Sequence, residues 1–129
     1  LMKNFLWTWG PAALWLAFIY AGSSIGNLPR AESELIDSII HRIGHLIEYA
    51  ILGALLLRAW RQSRSIARRD VIFVVIACGL YGLSDEWHQS FVVGRSSELS
   101  AVLFDLAGGL IGAVIYRWRR RRSDSTEVG

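Results

Sequence analysis

The chain has 129 residues, enough for one domain, with 53% hydrophobic residues, a mean hydropathy of +0.34 and a formal charge of +3. That apolar content is high for a water-soluble domain and excludes a soluble enzyme, because so small a core could not bury four long apolar segments. The basic excess does not mark a nucleic-acid-binding face: the arginines crowd at the ends of apolar runs, which is the footprint of membrane orientation, and no nucleic-acid partner is expected.

The first apolar run, residues 5–21, is near the minimum of about 17 residues that a bilayer-crossing helix needs. Pro11 falls in its early turns, where it kinks a membrane helix rather than ending it. Lys3 before the run and the small residues Ala21, Gly22 and Ser23 after it also resemble a secretory signal. Its tryptophans and the further spanning-length runs that follow favour a retained span. A loop with Pro29 comes next. Leu35, Ile36, Ile39 and Ile40 then recur at helical spacing, as expected of a short helix over 32–40 lying on the membrane surface.

The second span is expected over 43–60 and the third over 71–92, with Arg58, Arg61, Arg64, Arg68 and Arg69 at and between their ends. A turn around Gly94 leads to the fourth, over 99–118. Gly108 and Gly112 within it have the small-xxx-small spacing of close helix contact. Residues 119–129 read as a basic, disordered tail. Cys78, the lone cysteine, lies in an apolar stretch and reads as a small buried hydrophobe. The fold class is therefore all-α, a single integral membrane four-helix bundle over residues 1–118.

Arginine-rich short connections stay cytoplasmic, so the 58–69 connection and the tail belong inside, with both termini. The outer connections carry Arg30 and Arg95, with Arg42 at the entry to the second span. Trp7, Trp9, Trp60 and Trp118 fall at inner ends and Trp87 near an outer end, as an aromatic belt requires. His45 and Glu48, then Asp85, Glu86, His88 and Gln89, and finally Asp105 all reach the outer ends of their helices.

Each ionisable group at bilayer depth costs roughly 2.5–3.5 kcal/mol on insertion scales, so such groups persist when they pair or work. His45, Glu48 and Tyr49 share one helix face, and so do Tyr81, Asp85 and His88; Glu86 is turned about 100° from Asp85, toward a different neighbour. A satisfied packing network is the plain reading of any one of these residues. Two histidines, several carboxylates and an arginine at one level point to a site.

Two strings carry a family resemblance. Arg42-Ile43-Gly44-His45-Leu46-Ile47-Glu48-Tyr49, followed by Leu52-Gly53, and Asp85-Glu86-Trp87-His88-Gln89, followed by Gly94-Arg95, resemble the VanZ-like membrane proteins. Asp105, Gly108, Gly109 and Gly112 are similar to the start of that family's last helix. The chain departs from the pattern at Val93, where the family usually has Pro, at Ala101, where it often has Asp, and at His41-Arg42, where it often has Asp-Lys. If the family's Asp at that position serves catalysis, the Ala101 departure implies either an impaired chain or a carboxylate supplied by Glu98 or Asp105.

The resemblance implies a multi-pass protein of the bacterial inner (cytoplasmic) membrane, linked to the cell envelope and to glycopeptide antibiotic resistance. It also implies a kinship with enzymes that act on phospholipid or polyprenyl-phosphate head groups. On that reading His45, Glu48, Asp85 and His88 are the catalytic candidates: an imidazole as base or nucleophile, oriented by a carboxylate. Arg42, Tyr49, Glu86, Gln89, Arg95 and Asp105 are the substrate-binding candidates, the guanidinium groups gripping phosphate. The activity would be cleavage or exchange of a lipid-phosphate head group. The alternative is a non-catalytic binder or transporter of an anionic lipid or lipid-linked wall precursor. The expected partner is membrane lipid. No metal ligand is assigned; a divalent ion is a variant resting on the i, i+3 pairs His45 with Glu48 and Asp85 with His88.

Overall fold

The computed structural model describes residues 1–26, 29, 31–62, 64–95 and 97–129; Arg30 and Ser96 lie outside them. Four helices follow in order: α1 (Met2–Ser23), α2 (Glu34–Arg61), α3 (Arg68–Gln89) and α4 (Ala101–Glu127), with no strand among the described residues. All four are long and apolar enough to cross a membrane. A span must satisfy its backbone polar groups internally, and a helix does so residue by residue.

The boundaries differ from the expected ones in three places. The segment 32–40 is not a separate surface element: Glu34–Ile40 forms the first two turns of α2. Residues 35–43 contain no Gly or Pro, so nothing interrupts the backbone ladder, and Glu34 and Asp37 favour the positive N-terminal end. The tail is not disordered from 119, because α4 continues to Glu127 as an exposed helix. Arginine is a good helix former, and Ser125 and Thr126 donate back to the carbonyls of Arg121 and Arg122. At the end of α3 the helix stops at Gln89, and residues 90–94 form turns ending at Gly94 (φ 81°), a conformation that costs glycine nothing. Pro11 lies inside α1 without ending it.

The bundle is inside-out relative to a water-soluble protein. Phe5, Leu14, Phe18, Ile72, Phe73, Leu80, Leu103 and Ile115 face outward, whereas His45, Asp85, Glu86, Gln89 and Asp105 are buried. Apolar surface on this scale suits contact with lipid tails rather than water. Trp7, Trp60 and Trp87 are exposed near helix ends, and Trp118 is exposed where the apolar part of α4 gives way to its arginines.

The most extensive interface joins α2 to α4; α3 packs on α4, and α1 is peripheral, touching α2 and α3. Gly108 and Gly112 make the α2–α4 approach possible: a Cβ at Gly112 would overlap the carbonyl of Ala50 and lie 2.9 Å from its Cα. In a bilayer the pull between helices is close packing, not exclusion of water, so small residues at the crossing do the work.

One end of the bundle is basic. There Arg58 donates to the carbonyls of Trp7 (3.2 Å) and Thr8 (3.5 Å), Arg117 to that of Ile66 (3.1 Å) and Arg120 to that of Gln62. Asp70 ties α2 to α3, accepting from Arg61 Nε (2.8 Å), Trp60 Nε1 (3.3 Å) and the Ala67 N–H (2.7 Å). Asp70 is buried beneath these partners, and its loss should cost their charge-assisted hydrogen bonds. Asp70→Ala is expected to lower unfolding free energy by about 1–2 kcal/mol in a denaturant titration in detergent micelles.

Candidate functional site

The opposite end is polar, and each element brings one part of it. His45 and Tyr49 are one turn apart on α2, both buried. Asp85, Glu86 and Gln89 come from the last turn of α3, Asp105 from the second turn of α4, and Ser23 from the last turn of α1. Their burial in what would be hydrocarbon demands partners, and most have them.

Two networks share the site. In the first, Asp105, fully buried, accepts from His45 Nδ1 at 2.6 Å. By accepting the hydrogen bond from Nδ1–H, the carboxylate holds the ring in the tautomer that leaves the Nε2 lone pair available, as the acid does for the base in a triad. The Nε2 atom lies 3.9 Å from Glu86 Oε1. The other Glu86 oxygen accepts from the Ser97 hydroxyl (3.1 Å) and the Glu98 N–H (2.8 Å), which pins the start of α4 to α3.

In the second, Asp85 accepts from the Ser23 hydroxyl and from Gln89 Nε2 (3.1 Å); the same Nε2 reaches Ser23 Oγ at 3.2 Å, and Arg95 Nε donates to Gln89 Oε1 at 3.4 Å. A chain of polar contacts thus runs from α1 through α3 to Arg95. Between the networks lies a cavity of about 200 Å³, lined by Ser23, His41, His45, Glu48, Asp85, Gln89 and Arg95 among others.

The expected site residues divide accordingly. His45, Glu48, Asp85, Gln89 and Arg95 meet at the cavity. Glu86 faces a different neighbour from Asp85: Asp85 turns to α1, Glu86 to α2 and the 97–98 turn. Asp105 backs His45 from behind. Tyr49 stacks parallel to His45 (centroids 6.1 Å), its hydroxyl without a hydrogen-bond partner among the described residues. Arg42 is partly exposed, 3.8 Å from Glu98 and over the Phe104 ring. His88 stands apart from the cavity lining: its Nε2 is 3.0 Å from Ser24 Oγ and its ring stacks on Tyr20. The imidazole is oriented by Asp105, so neither Asp85 nor Glu48 holds a hydrogen bond to a histidine among the described residues.

Ser23 and His41 are participants that the sequence reading did not assign. Nothing local to Ser23 betrays its role. His41 carried a usable signal, its i, i+4 relation to His45, and the two rings do face each other at 4.6 Å between centroids.

A family profile described as VanZ/LLP1 matches residues 4–120, nearly the whole chain. The chain belongs to the VanZ/LLP1 family. Neither the curated proteins nor the solved structures contain a match to it. In this VanZ/LLP1 protein Ala101, at one of the positions that depart from the family pattern, is fully buried in the first turn of α4. The carboxylates that flank it in sequence are Glu98, which faces Arg42, and Asp105, which is committed to His45.

Proposed function

We infer that the polar end of the bundle receives the phosphate head group of a membrane lipid, a phospholipid or polyprenyl phosphate, and cleaves or exchanges it. The observation that carries this reading is the cavity itself: a space of about 200 Å³ with a mixed polar and apolar lining at one end of four membrane-length helices, holding a guanidinium, an oriented imidazole and two further carboxylates. Arg95 grips the phosphate through paired N–H groups. His45, held by Asp105, takes a proton through Nε2 from the attacking hydroxyl or water as its oxygen bonds to phosphorus, and returns the proton to the leaving oxygen as the ester P–O bond breaks. Glu48 and Asp85 flank the reacting group. The basic end faces the cytoplasm, which puts both termini there and the cavity at the outer leaflet of a bacterial inner membrane. This location suits a role in the cell envelope, including the response to glycopeptide antibiotics.

The position of His88 favours a second reading, in which the protein binds an anionic lipid or lipid-linked wall precursor without changing it. His88, one of the two imidazoles expected to act, is engaged with Ser24 and Tyr20, so the expected His45–His88 pairing is not assembled at the cavity; the second imidazole there is that of His41.

Native mass spectrometry of detergent-purified protein tests the shared premise. Wild type is expected to retain a phosphate-bearing lipid, and Arg95→Ala to lose at least about tenfold in occupancy. Equal retention by both would remove the phosphate site. A product that accumulates with wild type and not with His45→Ala separates the enzyme from the binder.

A further inference from the structure

The geometry points to a divalent-cation site built by His41, His45 and Glu86, of the borderline kind that takes Zn²⁺, beside the cavity. One ligand atom from each of these three residues lies within 4.8 Å of the others. This is not the pairing expected from the i, i+3 spacings, and it does not rest on the lipid reading.

Three observations carry it. First, the donor atoms are poised and idle. Glu86 is 3% exposed, and its Oε1 has no hydrogen-bond partner among the described residues; neither does the buried Nε2 of His41. An unmatched carboxylate oxygen inside a membrane bundle is costly, and a cation is the natural partner. Second, His45 is arranged as a metal-binding histidine is: its Nδ1–H goes to a carboxylate, Asp105, at 2.6 Å, which fixes the ring and leaves Nε2 to point at Glu86 Oε1, 3.9 Å away. Third, five carboxylates gather at this end (Glu48, Asp85, Glu86, Glu98 and Asp105) against the guanidinium groups of Arg42 and Arg95. Among the described residues this cluster is richer in carboxylates than in guanidinium groups, an imbalance that a dication would offset.

His41 and His45, at i and i+4, present two imidazoles from one helix face, and Glu86 closes the set from α3. Two nitrogens and one carboxylate oxygen suit Zn²⁺ and its neighbours rather than Ca²⁺ or Mg²⁺, which want mainly oxygens. Ligand atoms around a tetrahedral ion of that size stand about 3.3 Å apart, so binding draws the three inward, chiefly by rotation of the partly exposed His41. Three protein ligands leave the fourth position open to the neighbouring cavity.

The test uses the full chain in detergent, stripped with a chelator that is then removed, and titrated without lipid with Zn²⁺ by calorimetry and with Co²⁺ by visible absorption. One equivalent should bind with micromolar or tighter affinity, Co²⁺ giving the intense bands of a four-coordinate site. His41→Ala and Glu86→Gln should each weaken binding by at least about tenfold, and Asp105→Asn by about 10–100-fold. His88→Ala should bind as wild type does, because His88 belongs to the Ser24–Tyr20 contact. If Glu86→Gln does not fold, His41→Ala, at a partly exposed position, carries the test. The absence of saturable binding overturns the proposal. So does binding that survives His41→Ala but is lost in His88→Ala, which marks adventitious capture by a surface imidazole. Because no lipid is present, a failed head-group assay leaves this result untouched; a metal on His45 Nε2 would in turn take that atom from the base role, so lipid retention through Arg95, which does not need that lone pair, is the head-group result that stands with or without metal.

Discussion

Gly112→Ala is expected to destabilise the bundle by about 3 kcal/mol or more, a large effect for a single methyl group. The added Cβ meets backbone, not a movable side chain: the carbonyl oxygen of Ala50, its carbon at 2.6 Å and its Cα at 2.9 Å. Relief requires α2 and α4 to separate, and theirs is the most extensive interface in the protein. Separation also pulls His45 on α2 away from Asp105 on α4, so metal or lipid binding should fall with stability. Gly10→Ala is the matched control, since nothing lies within 4 Å of its Cβ position on α1. It should be neutral or stabilising by about 0.5–1 kcal/mol, the ordinary helix preference of alanine. Denaturant titration of both variants in the same micelle decides the matter: comparable stabilities would contradict the close crossing of α2 and α4.

The second large effect is expected at the His45–Asp105 pair. His45→Ala should cost about 3–5 kcal/mol, because it leaves a fully buried carboxylate with no partner on either oxygen. The double variant His45→Ala/Asp105→Ala should recover part of that loss, since it removes the stranded charge together with its partner. The double-mutant cycle should return a coupling of about 2 kcal/mol, the range for a charge-assisted hydrogen bond between buried groups. Additive losses would mean that the two side chains do not meet. In proton NMR of wild type, the Nδ1–H of His45 should appear far downfield, as a short bond to a carboxylate requires, and Asp105→Ala should abolish that signal.

Much of the architecture was legible in the sequence for a plain physical reason. A bilayer imposes length and apolarity on every span locally, without reference to the rest of the chain, so four spans could be counted from composition alone. The exposed face of each helix stays apolar and the polar residues turn inward, so the level at which His45, Asp85 and Asp105 gather also followed from position along each span. Helix ends were less legible. Lipid immersion does not require a helix to stop where apolarity stops, and both Glu34–Ile40 and Arg119–Glu127 continue as helix beyond the apolar core.

Partner choice belonged to the tertiary structure. Depth along a helix says which groups are level; rotation about the helix axis and the distance between axes say which of them touch. Asp105 rather than Asp85 or Glu48 accepts the hydrogen bond from His45 Nδ1–H because the glycine contacts bring α4 against α2 at that height. His88 is drawn to Ser24 and Tyr20 because α1 packs on that side of α3. Glu86, turned about 100° from Asp85, is thereby left facing two histidines from α2. The sequence by itself determined that polar side chains gather at one end of a membrane bundle; only the packing of the four helices decided which of them touch, because hydrogen bonds reach about 3 Å and no pattern along one strand of sequence sets distances between helices to that tolerance.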